Sequence, residues 1–308
     1  MPIRLERQIR SAAIVLASIK SAVGRLSERV ANRATEGLEQ RLELARRTSP
    51  ATKVGLRTLS AHYRSLVSQP ERLPRYSETG FRIFSQFDED GIILYFLAVA
   101  GAPHARFVEI GAGDGIHASN CASLAFNLGF HGLFVESDEA GVARGRAAYG
   151  AHADTRLFPP RFTQTFVTRE NALETLANAG FDRDVDVLSI DIDGNDYFIW
   201  EALEPVRPRL VVIETHTEHG TRDVLAPYRP DYDWRKADSA EPVGASPFAM
   251  TKLAATLGYR LVGGNRFGFN TFYLREDVVD ETTIPTIGLD ELLRHDRNSG
   301  RGGAEPTA

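Results

Sequence analysis

Glycines and acids at fixed spacing mark where this chain can do chemistry. Residues 106–115 read R-F-V-E-I-G-A-G-D-G, a short apolar run holding Glu109 and then glycines at 111, 113 and 115. A strand that breaks into such a turn lets backbone approach a ligand, because glycine has no Cβ and accepts positive φ. The G-x-G-x-G spacing is one residue short of the dinucleotide pattern G-x-G-x-x-G. Further on, residues 132–138 read G-L-F-V-E-S-D and put Glu136 at the end of a second apolar run. A carboxylate there can accept both hydroxyls of a ribose, as the acid about 20 residues past the turn does in dinucleotide folds; otherwise it is a loop acid. Residues 186–197, D-V-L-S-I-D-I-D-G-N-D-Y, gather Asp191, Asp193 and Asp196 around Gly194. Asp191 and Asp193 are two apart, so on an extended strand end their side chains share a face. Oxygens converging there suit Mg²⁺; the competing reading is that Asp193 and Asp196 cap the next helix. Residues 214–219 read E-T-H-T-E-H. Glu214 is a further metal ligand or orients His216. His216 is the candidate general base, since imidazole titrates near neutrality, or else a loop histidine that only hydrogen-bonds.

These residues must be held by alternating elements. The pattern predicts a helix over 88–100 with Ser85 as its cap, then a strand over 107–110 and a helix over 122–128. A strand follows over 132–135, a helix over 139–148, a weaker strand over 156–158 and a helix over 171–179. Next come a strand over 185–190, a helix over 197–203, a strand over 210–213 and a helix over 247–257. Strands over 259–263 and 271–274 close the pattern as a hairpin. Strands separated by helices imply an α/β fold, a parallel sheet with right-handed crossovers. The closing hairpin adds an antiparallel edge.

Taken together, F-V-E-I-G-A-G-D-G, the Ser119-Asn120 pair, G-L-F-V-E-S-D and D-V-L-S-I-D-I-D-G-N-D-Y resemble the FkbM-type branch of class I methyltransferases, which use S-adenosylmethionine (SAM). The resemblance spans roughly residues 85–274. It implies a Rossmann-like, mostly parallel seven-stranded sheet and methyl transfer, usually to oxygen, on sugars or other secondary metabolites. Under it Glu136 takes the donor's ribose. Glu109 and the backbone of Gly111, Gly113 and Gly115 hold the methionine end, with Glu109 accepting from the ammonium. Asp114 and Asn120 join the donor-binding set, unless Asp114 only shapes the turn and Ser119 and Asn120 only cap the following helix. Phe166 is a candidate adenine contact. Asp191 lies beside the transferred methyl group, and His216 takes the acceptor's proton. Many members carry a single acid followed by E-G after the fourth strand. Here Asp191, Asp193 and Asp196 stand instead, with Asp191, Asp193 and Glu214 as the candidate Mg²⁺ ligands. A metal there would lower the pKa of a bound acceptor hydroxyl. The expected activity is O-methylation of a hydroxyl on a sugar, polysaccharide or glycosylated metabolite. The competing readings are a nucleotide- or NAD-binding oxidoreductase on a similar sheet and a non-catalytic SAM-binding scaffold.

Composition sets the surroundings. The chain has 308 residues, 43% hydrophobic, enough for a sizeable core. A single cysteine, Cys121, excludes an intramolecular disulfide framework and a multi-cysteine zinc site, and fits a buried helix residue in a reducing, cytoplasmic setting. Of the 36 Lys+Arg and 41 Asp+Glu, residues 1–69 hold 13 and 5, a net of +8; the remainder nets −13. Residues 1–70 therefore read as a basic helical arm, 71–297 as the methyltransferase domain and 298–308 as a disordered tail. A basic amphipathic helix over 1–48 suits a peripheral membrane surface or a partner helix, or links subunits of a homo-oligomer. Nucleic acid is not expected, because aromatics do not interleave the basic residues. The acceptor is a small molecule or glycan. Residues 220–247, with Tyr228, Tyr232 and Trp234, read either as a sugar-packing wall or as a lid anchored to the body, and residues 265–270 border the same pocket.

Overall fold

The computed structural model describes residues 35, 37–233 and 243–294. Half of the expected arm, Trp234 and the expected tail lie outside the described residues. The chain divides into two compact units, Met1–Thr52 and Lys53–Ala308. In the first, residues 37–47 are helical. The second holds the sheet and is described from here on. None of its helices, nor any other among the described residues, is long and apolar enough to cross a membrane.

Helix α1 (Pro50–Leu66) leads to α2 (Glu89–Ala100). All of α2 is buried, as expected of a helix apolar on every side. The N-cap position is Asp88 rather than the expected Ser85; Ser85 Oγ still accepts from the Asp90 backbone N–H of the first turn at 3.2 Å. Tyr95 of α2 meets Tyr63 of α1 edge-on, with ring centroids 5.1 Å apart. The remaining elements alternate: β1 (Arg106–Ile110), α3 (Ala122–Leu128), β2 (His131–Glu136), α4 (Glu139–Ala151), β3 (Arg161–Gln164), α5 (Ala172–Asn178), β4 (Val187–Ile190), α6 (Asp196–Ala202), β5 (Leu210–Glu214), α7 (Pro247–Thr256), β6 (Tyr259–Gly264), β7 (Asn270–Arg275) and α8 (Leu289–Leu293).

The seven strands form one sheet in the order β3-β2-β1-β4-β5-β7-β6. The pairs from β3 through β5 are parallel; β7 is antiparallel to both β5 and β6. The α/β, Rossmann-like, seven-stranded architecture is as anticipated. The closing hairpin forms the antiparallel edge, with β7 inserted between β5 and β6 so that β6 is outermost and parallel to β5. Apart from a terminal residue in β1, β2 and β5, the central strands are buried, which explains their mainly apolar composition. An aromatic cluster packs against β1–β3, with Phe126 stacked on Tyr149 at 4.2 Å and Phe134 tilted against Phe162 at 4.9 Å.

The strand expected over 156–158 is absent. Those residues form a turn in which the N–H groups of Arg156 and Phe158 donate to the carbonyls of His152 and Thr155. The edge strand starts after Pro159-Pro160, where Phe162 turns inward. The apolar pair Leu157-Phe158 imitates a strand in sequence but is exposed.

Candidate active site

The order of strands reverses beside β1, and the carboxyl ends of β1, β2 and β4 open there into one crevice, the usual ligand position in such sheets. The crevice is a cavity of about 230 Å³. Ile110, Gly111 and Gly113 line it from the β1 turn, and Val135, Glu136 and Ser137 from the end of β2. Thr165 to Val167 follow β3, Asp191 to Asp193 and Asn195 follow β4, and Tyr232 and Asp233 close the rim.

Each glycine of the turn has a distinct reason. Gly111, at φ +82°, sits so close to the β4 turn that a Cβ would lie 1.7 Å from the Asp191 carbonyl oxygen. Gly113, at φ +57°, has no described residue within 4 Å of where a Cβ would be. Gly115 packs on the rings of Phe134 and Phe162. The turn is tied to β2 by the Gly111 and Ala112 N–H groups, which donate to the Val135 carbonyl.

Glu136 faces the cavity. Its Oε2 accepts from the Gly113 N–H at 2.8 Å, and its Oε1 accepts from the N–H groups of Ser137 and Asp138 and from the Ser137 hydroxyl. A carboxylate oxygen has room for two donors, so Oε2 keeps capacity for a ligand hydroxyl while its geometry is fixed by backbone.

Glu109 is placed differently from the ammonium-binding expectation. It points inward and does not line the cavity. Oε1 accepts from the Asn120 N–H at 2.8 Å, and Oε2 accepts from the Ser119 hydroxyl at 2.6 Å and the Cys121 N–H at 3.3 Å. Burial pushes its pKa up to about 7 against the pull of these bonds. Its work is to fix the segment entering α3, which Ser119 caps by accepting from the Ala122 N–H. Asn120 is likewise committed to the interior, donating to the Ser189 hydroxyl of β4 at 3.0 Å. Asp114 shapes the turn by accepting from the N–H groups of Ile116 and His117 and from the His117 ring. Burial works to raise its pKa, but the bonds from His117 and Ile116 outweigh it and hold it low. Cys121 is fully buried, and burial keeps its thiol protonated. Phe166 does line the cavity.

The second cluster of acids lies at the ends of β4 and β5. Ile190 pairs with Ile213, so the residues that follow, Asp191 and Glu214, emerge side by side. Carboxylate oxygens of Asp191, Asp193 and Glu214 lie within 4.8 Å of one another. The convergence does not come from strand alternation as expected. β4 ends at Ile190, and Asp193 enters the cluster through a left-handed turn at φ +58°. Asp196 is occupied instead, accepting from the N–H groups of Ile192 and Gly194. Burial, then the charges of Asp196 and Asp193, push Asp191 up to about 8. Burial, then Asp191 and Asp196, push Glu214 up to about 10. Glu214 Oε2 is buried with no hydrogen-bond partner among the described residues. A cluster of hard oxygen donors whose charges repel and which leaves one oxygen unmatched fits a divalent cation such as Mg²⁺.

His216 sits just past β5. Its Nδ1 donates to Glu218 Oε1 at 2.8 Å, and its Nε2 is buried without a partner among the described residues. Gly244 backs the ring, where a Cβ would come within 2.5 Å of Nε2. Burial lowers the imidazole pKa, and the Glu218 bond and charge more than reverse this. Glu218 is held at about 2 by the same bond. Neither Glu214 nor His216 lines the 230 Å³ cavity.

The aromatic segment divides. Tyr228 is anchored to the body, its hydroxyl donating to Glu170 at 2.6 Å. Tyr232 covers Gly194 and lines the cavity, with the Arg229 guanidinium 4.7 Å from its ring centroid. Residues 265–270 do not line it. The side-chain amides of Asn265 and Asn270 both donate to Glu89 Oε1 of α2, at 2.7 and 2.9 Å. Sequence reasoning missed Thr165, Val167 and Asn195 as lining residues. Thr165 and Val167 were hidden by the misplaced third strand.

No protein-family model matches the chain, and no curated protein does. Several solved structures are similar at low identity. The magnesium protoporphyrin IX methyltransferase ChlM from Synechocystis, with bound SAM, is 15% identical over 61% of this chain and 78% of its own, with a TM-score of 0.38. An O-methyltransferase from Bacillus cereus in complex with S-adenosylhomocysteine (SAH) is 16% identical over 58% and 76%, with a TM-score of 0.36. The O-methyltransferase TomG from Streptomyces achromogenes, in complex with SAM, is 18% identical over 69% and 87%, with a TM-score of 0.37. The fold assignment rests on strand order and pairing, not on these likenesses.

Proposed function

We propose that this chain is a SAM-dependent methyltransferase that transfers a methyl group to a hydroxyl oxygen of a sugar or glycosylated small molecule. The observation that carries the reading is the crevice between β1 and β2. There a glycine turn open at Gly113 faces Glu136, whose Oε2 is oriented by backbone yet still able to accept. Glu136 receives the ribose hydroxyls, the Gly111–Gly113 backbone lies along the methionine end, and Phe166 flanks the adenine. Bound there, the sulfonium supplies an electrophilic methyl group. The chain's task is then to hold the acceptor oxygen in line and take its proton.

His216 is the proton acceptor. Glu218 on Nδ1 fixes the tautomer that leaves Nε2 as the free lone pair. Asp191, Asp193 and Glu214 would hold Mg²⁺, which lowers the pKa of a bound hydroxyl. Tyr232 presents a ring face suited to the C–H face of a sugar.

Titration calorimetry with SAM, SAH and NAD tests the reading. Heat with SAM and SAH at a one-to-one ratio, and none with NAD, is expected. Absence of heat with both SAM and SAH on folded protein overturns it. Dialysis against chelator with Mg²⁺ add-back tests the metal, and activity that survives chelation removes it.

A further inference from the structure

The misplaced strand leaves an apolar pair where no core claims it. Leu157 and Phe158 are adjacent and 74% and 85% exposed. They are rigidly presented. Thr155, just before them, is buried, and its hydroxyl donates to the Tyr149 carbonyl at 2.6 Å. The Phe158 N–H donates back to the Thr155 carbonyl, and Pro159-Pro160 follow, the second of them buried. Neighbouring large apolar side chains held this far out of a folded body mark a contact surface.

The ground around the tip is cationic. Arg156 and Arg161 flank it and are exposed. Arg161 starts β3, and Arg106 and His131, paired across the sheet, start β1 and β2. Arg161 and Arg106 donate to the adjacent carbonyls of Ala179 and Gly180, which brings the two guanidinium groups together. Arg183 beside them is exposed. Burial, then the charges of Arg161 and Arg106, hold the His131 imidazole below its usual pKa. The acids nearby are Asp154, paired with Lys53, Asp182, 3.5 Å from Arg183, Asp184, 3.9 Å from the His104 ring, and buried Asp186, which accepts from the Arg106 N–H. Lys53 and four arginines against four aspartates, one of them buried, leave a small positive excess at the surface.

We infer that the Leu157-Phe158 tip and its arginine surround form a docking surface for an anionic lipid bilayer. An apolar pair enters the acyl boundary while the arginines meet headgroup phosphates, the two signals that together make interfacial attachment stable. The tip precedes β3, at the amino ends of the parallel strands. The candidate active site lies at their carboxyl ends. A bilayer seated here leaves the crevice open to water, so attachment does not compete with the proposed chemistry and does not depend on it.

The test is vesicle co-sedimentation of the full chain on phosphatidylcholine alone and on phosphatidylcholine mixed with phosphatidylglycerol. Binding to the anionic vesicles only is expected. The double variant Leu157→Ser/Phe158→Ser should lower that binding about tenfold or more, since it removes two apolar anchors. Arg156→Glu should weaken it in a salt-dependent way. Both changes are at exposed positions, so circular dichroism should match the parent. A Phe158→Trp variant should show a blue-shifted emission component on anionic vesicles that the parent lacks, reporting insertion directly even if the basic residues 1–69 also bind lipid. Equal binding by parent and double variant, together with no shift from the Trp variant, overturns the inference. So does a parent self-association that the double variant abolishes without any change on vesicles, which would make the tip a contact between copies of this chain.

Discussion

Replacing Gly113 with Ala separates folding from donor binding. Gly113 is in the left-handed region at φ +57°, and an added Cβ would meet no described residue within 4 Å. The cost to the fold is thus conformational alone, about 1–2 kcal/mol for an L-residue in that region. For a unit the size of residues 53–308, that corresponds to a Tm loss of roughly 2–8 °C. The open space that accepts the methyl group is the cavity where the donor is proposed to lie. SAM affinity should fall about a hundredfold, since a donor pushed away from both the turn and Glu136 loses contacts worth roughly 3 kcal/mol. Gly111→Ala is the contrast. Its Cβ would lie 1.7 Å from the Asp191 carbonyl oxygen, so one of the two turns must move and the protein should lose its cooperative melt or most of its yield. Calorimetry with SAM and SAH, beside a thermal melt of the same samples, reads both effects. A Gly113→Ala protein that melts within this window and binds SAM with the parent's affinity would refute the placement of the donor.

Other expectations follow from the acids and the base. Folded-state pKa values near 10 for Glu214 and 8 for Asp191 stand above those of an unfolded chain. Their contribution to stability is therefore full below about pH 4 and is lost as pH rises through the folded values. Tm in chelator should fall between pH 5 and 9, and Glu214→Gln should flatten that slope; an unchanged slope in the variant speaks against the clustering. His216→Ala should lower kcat roughly 10²–10⁴-fold while SAM affinity stays at the parent's value, and stopped-flow or quenched turnover measures it; retention of the chemical step removes His216 as base. Glu89→Ala should orphan the buried amides of Asn265 and Asn270 and cost roughly 3 kcal/mol, read as a lower denaturant midpoint, with a cost near zero contradicting the network.

Much of this protein was written in local sequence. The apolar runs at 107–110, 132–135 and 210–213 became strands to within a residue at either end, because strands buried on both faces need nothing but apolar side chains and a breaker at the end. The glycine turn and the acid closing β2 were legible for the same reason. Where local pattern and burial part company, the reading failed. Leu157-Phe158 has strand composition but stands in water, and the real β3 carries only Phe162 inward.

What the chain could not state locally is which polar groups meet. Asp191 and Glu214 converge because β4 and β5 are hydrogen-bonded neighbours with Ile190 opposite Ile213. Glu109, inside β1, turned inward to hold the entry of α3, while Glu136, at the last position of β2, faces the crevice. Glu89 met Asn265 of the β6–β7 turn and Asn270 at the start of β7. A residue's tendency to be strand, turn or cap is set by its own side chain and its neighbours in sequence. Its hydrogen-bond partners are set by strand order and register, which exist only once the sheet has closed.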